Sequence, residues 1–225
     1  MSYTSDFLKA AREEGWRVEL RQKLKGKERT DKPRVAMPEV DPNERIKYQN
    51  VEVNTGLVPE LAMEEASRCM DCVNPTCIDG CPVSINIPKF IKNIERGEFG
   101  LAASTLKETS ALPAVCGRVC PQEKQCEEQC FYTIKLNKPA VAIGYLERFA
   151  ADWERESGQM SIPECAPANG IKVAAIGSGP ASLAFAGDMV KLGYDVTVFE
   201  ALHEIGGVLK YGIPEFRLPN AIVDV

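Results

Sequence analysis

Histidine is almost absent from this sequence. His203 is the only one in 225 residues, and it lies far along the chain from most of the cysteines. Haem sites with histidine ligands and Cys2His2 zinc sites are therefore poor candidates, and acid–base chemistry built on a histidine pair is excluded. No uninterrupted apolar run is long enough to span a bilayer. The opening "MSYTSDFLKAAREEGWRVEL" is charged throughout and lacks the apolar core of a secretory signal, so a cytoplasmic protein without a membrane partner is expected. Positive charge is not in excess either. The net charge is −5, the wrong sign for a nucleic-acid partner.

Cysteine, by contrast, is plentiful. Thiols of a protein without a secretory signal stay reduced, and nine is an odd count for a disulfide framework. Metal ligation is the natural alternative.

The length favours two modest domains over one. Residues 1–40 read as an N-terminal helix and a proline-punctuated arm. Residues 41–155 read as a mainly helical domain that carries eight of the cysteines. "VPELAMEEASRCMDC" is helical and delivers Cys69. "IPKFIKNIERGEF" is a helix started by Pro88 and ended by Gly97. "LAASTLKETS" is a third. In "KPAVAIGYLERFAADWERE" Pro139 fits the first turn, and Ala142, Leu146, Phe149 and Trp153 share one face. Residues 156–170 are a linker by composition, in which Cys165 is a free thiol. From residue 171 to 225, "IKVAAIG", "PASLAFAGDMVKLG" and "DVTVFE" read as strand, helix and strand, the opening of an incomplete α/β Rossmann-type domain.

The cysteines fall into two blocks. "CMDCVNPTCIDGCP" spaces Cys69, Cys72, Cys77 and Cys81 as C-x2-C-x4-C-x3-C-P, and "CGRVCPQEKQCEEQC" holds Cys116, Cys120, Cys126 and Cys130. In the ferredoxin run C-x2-C-x2-C-x3-C-P, three close cysteines wrap one cube and the one before proline ligates another. By that logic Cys69, Cys72 and Cys77 share one iron–sulfur cluster and Cys81 reaches a second. Structural zinc is the rival reading, since it also takes C-x2-C pairs.

"VAAIGSGPAS" places Gly177, Gly179 and Ser182 between strand and helix, the context a dinucleotide fingerprint requires. Gly177 permits the tight turn, and Gly179 lets a pyrophosphate approach the helix N-terminus. Glu200 ends the second strand, where an acid receives ribose hydroxyls. His203, in the loop that follows, reads as a surface residue.

Together, Cys69–Pro82, Cys116–Cys130, "GSGPAS" and "GGVLKYGIPEFRLP" resemble the small (β) subunit family of NADPH-dependent glutamate synthase. They also resemble the N-terminal module of dihydropyrimidine dehydrogenase and the large subunit of NADH-dependent ferredoxin:NADP oxidoreductase. The resemblance runs from about residue 40 onward. It implies a helical domain with two [4Fe–4S] clusters, followed by an FAD domain and, in the full-length protein, an NADPH domain. It implies that Cys69, Cys72, Cys77 and Cys130 hold one cluster and that Cys81, Cys120 and Cys126 hold three corners of the other. The fourth ligand it implies is Glu147, with Cys116 as the competitor. For FAD it implies Gly177, Ser178, Gly179, Pro180 and Ala181 at the phosphates. Glu200, Gly206, Gly207 and Val208 follow at the adenosine and pyrophosphate, with Arg217 near the flavin and Val119 as a backbone contact. The implied activity is electron transfer from NADPH to a partner, the glutamate synthase large subunit. A ferredoxin-linked or bifurcating complex is the alternative, and a non-catalytic metal-stapled scaffold is the reading from another class. The resemblance also leads us to expect a chain truncated within the FAD domain, inactive alone, with an exposed strand edge.

Overall fold

The structure is a computed structural model, and it describes residues 3–160 and 162–224. The chain divides into two compact units. One comprises everything up to Pro38 together with Gly56–Gln159, and the other comprises Glu39–Thr55 and the chain from Met160 onward.

The first unit is helical. Ile87–Glu95 is its central helix, capped by Asn86, whose side chain accepts from the Lys89 amide, and closed by Gly97 at φ 82. Ile87, Phe90, Ile91 and Ile94 recur at helical spacing and are all buried. They pack with Pro59–Ala66 and Phe99–Lys107 and with the long helix Ile143–Ser157. Phe99 meets Phe149 and Trp153 edge-on at 5.0 and 5.6 Å. Pro113–Val119 lies so close to the long helix that a Cβ on Gly117 would stand 2.5 Å from the Arg148 amide nitrogen.

Two expectations are corrected here. The long helix begins at Ile143, so Pro139 does not occupy its first turn. Residues 139–142 are held outside the helix by a buried ion pair. Arg68 donates to the carbonyls of Pro139 and Ala140, and the Ala142 amide donates to Glu65. The Pro59–Ala66 helix also stops before Cys69, which follows it by one turn whose amide donates to the Ala66 carbonyl.

The N-terminal residues of this unit form three short helices, Ser5–Arg12, Gly15–Lys23 and Gly26–Asp31. Their arginines reach inward: Arg17 and Arg29 are buried.

In the second unit, β1 (Lys172–Ile176) and β2 (Asp195–Phe199) pair in parallel, with Lys172 opposite Asp195 and Ile176 opposite Phe199. The helix Pro180–Lys191 crosses between them, and Gly193 turns the chain at φ 85. Ile176 and Phe199 remain exposed, as a two-stranded sheet with one crossover helix leaves them. Residues 41–55, placed by sequence with the helical domain, pack here instead. Glu39 bridges Asn54, and the Val53 amide donates to the Phe216 carbonyl at 3.0 Å.

Candidate metal and dinucleotide sites

Four cysteines from distant parts of the helical unit line one apolar cavity. Cys69, Cys72 and Cys77 come from the first block and Cys130 from the end of the second, and Ile87, Ile91, Val141 and Ile143 form much of the remaining wall. The thiols are close enough to repel one another as thiolates. Burial, joined by like charge from Cys69 and Cys130, pushes Cys72 up to about 12. The same two causes raise Cys77, on which Cys72 acts as well. Burial also raises Cys69 and Cys130, against which Lys92 and backbone amides, respectively, pull downward. Without a metal these sulfurs keep their protons, and ligation would exchange those protons for metal.

The other cysteines gather around a carboxylate. Glu147 on the Ile143–Ser157 helix is buried at 6% exposure, and its Oε1 has no hydrogen-bond partner. Its pKa is driven well above the ordinary carboxylate range by burial and then by Cys116. Glu147 in turn acts on Cys81, Cys120 and Cys126. A buried acceptor without a donor is rare and asks for a partner. Three sulfurs and one orphaned carboxylate oxygen form a donor set that fits a metal group. Cys116 is the neighbour of Cys120, and a hydrogen bond between the two thiols raises Cys116 and lowers Cys120. Among the described residues no three cysteine, histidine or acidic side chains are placed to hold a single metal ion.

The loops that present the sulfurs need unusual backbone. Asp71, between Cys69 and Cys72, has φ 52, and Ser84 has φ 51. Asp71 is wholly buried and tied there by Arg17 and Arg21. Sequence reading missed these arginines, and also Arg29 and Lys92, because charged stretches ordinarily read as solvated faces. Cys165 is exposed, as expected of a free thiol, and His203 is exposed beside Tyr211.

In the second unit Gly177 takes φ 85 directly after β1, and its amide donates to the Phe199 carbonyl at 2.7 Å. Ser178 is buried. Its amide and hydroxyl both donate to Glu200, and its hydroxyl oxygen accepts from the Gly206 amide at 3.0 Å. Gly207, at φ 53, lies against the phosphate loop, where a Cβ would come within 3.0 Å of the Gly179 Cα. Gly179 caps the helix that Pro180 and Ala181 begin, so its free amides face the loop. Gly177, Ser178, Gly179, Glu200, Gly206 and Gly207 thus form one cluster. Val208 starts the short helix after it, Arg217 is exposed, and Val119 is half-buried in the other unit.

The Ser178 hydroxyl, helped by the Leu202 amide, lowers the Glu200 carboxyl to about 2. With the folded value depressed, these contacts are complete above the ordinary carboxylate range and are lost as pH falls through it toward 2. The Ser178 amide resonance is expected to titrate near pH 2 in a folded-state NMR series. A midpoint at the ordinary glutamate value would mean that the Ser178–Glu200 contact does not form.

Residues 45–159 match the family described as "Dihydroprymidine dehydrogenase domain II, 4Fe-4S cluster", and residues 176–221 match the "NAD(P)-binding Rossmann-like domain". The chain is 43% identical over 164 residues to the NAD-dependent dihydropyrimidine dehydrogenase subunit PreT of Escherichia coli (strain K12), covering 73% of this chain and 39% of that one. It is 39% identical over 177 residues to the glutamate synthase (NADPH) small chain of the same organism, covering 79% and 37%. It is 35% identical over 188 residues to the small chain of Azospirillum brasilense, covering 84% and 39%. The chain therefore spans about two-fifths of the length of the curated relatives it matches.

Proposed function

Because the chain belongs to the family of the dihydropyrimidine dehydrogenase 4Fe-4S domain and the glutamate synthase small chains, we propose that it is the electron-transfer module of an NADPH-dependent oxidoreductase. Electrons from NADPH reach FAD in this reading, cross two [4Fe–4S] clusters, and leave for a partner subunit that makes glutamate, in the cytoplasm. No helix among the described residues is long and apolar enough to cross a membrane. The observation that carries the reading is the division of eight donors into two groups, each drawn from both cysteine blocks or their flanking helix.

Cys69, Cys72, Cys77 and Cys130 hold one cluster; Cys81, Cys120, Cys126 and Glu147 hold the other. Apolar side chains line much of the first group, and backbone amides of Val83, Ile85, Tyr132 and Val141 donate to Cys81 and Cys130. Such bonds, with local charge, set the potential of an iron–sulfur site. Gly177, Ser178, Gly179, Pro180 and Ala181 cradle the FAD pyrophosphate. Glu200, fixed by Ser178, receives the ribose, and Gly206, Gly207 and Val208 close the loop. Arg217 and Val119 serve the flavin end. When bound, the flavin takes electrons in pairs and the clusters carry them singly, chemistry that belongs to the cofactors. Cys116 keeps its proton beside Cys120.

A second reading changes the partner and, because the relatives behind it are named NAD-dependent, the nicotinamide donor. Identity to the dihydropyrimidine dehydrogenase subunits, at 42–43%, exceeds that to the glutamate synthase small chains, at 35–39%. This favours a dihydropyrimidine dehydrogenase subunit as the electron acceptor.

Anaerobic reconstitution of the chain is expected to give about eight irons and eight sulfides, with visible absorbance that dithionite bleaches. A colourless protein that takes up zinc would overturn the module. Mixing the reduced chain with a glutamate synthase large subunit, and separately with a dihydropyrimidine dehydrogenase catalytic subunit, decides the partner by which one reoxidises it.

A further inference from the structure

Burying a cation is unfavourable unless hydrogen bonds and opposite charge compensate it. Lys92 is wholly buried and Arg29 is 2% exposed. The Lys92 Nζ donates to the Cys69 carbonyl at 2.5 Å, and Arg29 Nη1 donates to the same carbonyl at 3.3 Å and to that of Ser67. Both cations pair with Glu95. Two positive charges thus share one carboxylate, leaving one charge in excess beside the Cys69 backbone. On the other flank, buried Asp71 takes Arg17 and Arg21, and Arg12 Nε donates to the Asp71 carbonyl at 2.7 Å. Arg12 and Arg21 also reach Glu13 at the surface. Five cations therefore meet three carboxylates around one cysteine loop. The second group of cysteines has Glu147 at its border, and the buried Glu127, paired with Arg34, lies against Cys126 and Cys130 alike.

Lys92 is buried on the same helix as Phe90, Ile91 and Ile94. Its ammonium is divided between the Cys69 carbonyl and Glu95.

Resting on the reading that Cys69, Cys72, Cys77 and Cys130 hold an iron–sulfur cluster, we propose that Lys92 is the positioning residue that sets how readily this site accepts an electron. One electron from dithionite adds one negative charge there; no bond forms or breaks. A fixed positive charge held off water beside Cys69 favours the more negative state, and local charge is among the levers that move such potentials. Glu95 holds the ammonium in place and partly masks it, while Arg29 adds a second positive charge on the same carboxylate.

The test is an EPR-monitored redox titration of the anaerobically reconstituted full chain. In Lys92→Met the reduced-to-oxidised ratio of one transition is expected to fall about tenfold at fixed potential, about 59 mV for a one-electron couple. The other transition stays as an internal reference, and Lys92→Arg restores the first. Glu95→Gln unmasks positive charge and moves the same transition upward. Lys92→Met with full iron and two unmoved transitions overturns the proposal, as does an equal shift of both. If Lys92→Met fails to load iron, Glu95→Gln decides: an unmoved or lowered transition counts against the charge. A wild-type chain without iron sinks the underlying cluster reading and the proposal with it, and iron content separates that case from a failed shift.

Discussion

Cys130→Ala is expected to remove about four of about eight irons and to abolish one of two EPR signals. Cys126→Ala, four positions earlier in the chain, is expected to abolish the other signal. Neighbours in sequence would thus serve different clusters. Cys130 shares a cavity wall with Cys69, Cys72 and Cys77, whereas Cys126 responds to Glu147 and Cys81. Glu147→Ala should follow Cys126→Ala in the signal it perturbs, because in the proposed assignment its unpartnered Oε1 would be the fourth donor of that group. Cys116→Ala should leave four ligands in each group and both signals in place. Iron content and low-temperature EPR of the dithionite-reduced chain measure all four variants. Loss of the same signal in Cys126→Ala and Cys130→Ala would dismiss the interleaved assignment, and loss of a signal in Cys116→Ala would transfer the ligand role from Glu147 to Cys116. Cys126 also acts on Cys77, so the two groups adjoin, and some change in the lineshape of the surviving signal is expected from lost magnetic coupling.

Spacing, which is local, set Cys69, Cys72 and Cys77 apart from Cys81; that Cys130 joins the first three, and that Cys120 and Cys126 join Cys81, was implied by the family resemblance, because those partners come from elsewhere in the chain. Pro88 and Gly97 bracket their helix as proline and glycine do by backbone geometry alone. Gly177 and Glu200 carry their meaning in the strands that precede them. Glu147 was singled out by the family resemblance alone, and its burial is what the structure adds. Its lack of a partner was not readable, because that depends on Cys81, Cys120 and Cys126 arriving from elsewhere. The start of the same helix was misplaced for a similar reason. Pro139 has the φ a first turn wants, yet its carbonyl is taken by Arg68 from the turn after the Pro59–Ala66 helix. Residues 41–55 carry no period-2 pattern, and their assignment to the second unit depends on the Val53–Phe216 contact across most of the chain. Buried cations are the least legible feature. Lys92, Arg17 and Arg29 occupy sequence contexts that read as solvated, and the carbonyls and carboxylates that receive them are nonlocal.

Glu65→Ala is expected to be the most damaging single change outside the ligands, lowering stability by about 3–5 kcal/mol. Glu65 is fully buried and accepts from Arg68 at 2.6 Å, from the Ala142 amide at 2.8 Å and from the Val35 amide at 2.7 Å. Its removal leaves a buried guanidinium without its carboxylate and two amides without an acceptor, and leaving such groups unmade is more costly than the net worth of the bonds themselves. Arg68 would keep the carbonyls of Pro139 and Ala140 and the face of Tyr132, 4.7 Å from its ring centroid, which offsets part of the loss but neutralises no charge. The damage reaches the site because Ala142 precedes the helix that carries Glu147, and Val141 lines the cavity of the other group. The urea midpoint of the metal-free chain reports the stability, and iron uptake reports the site. A double variant, Glu65→Met with Arg68→Met, removes both charges together and is expected to recover much of the loss, since a buried pair contributes little net stability against apolar side chains of like volume. A single-variant loss below about 1 kcal/mol would show that the pair is solvated in solution, and the placement of residues 139–142 would then need another cause.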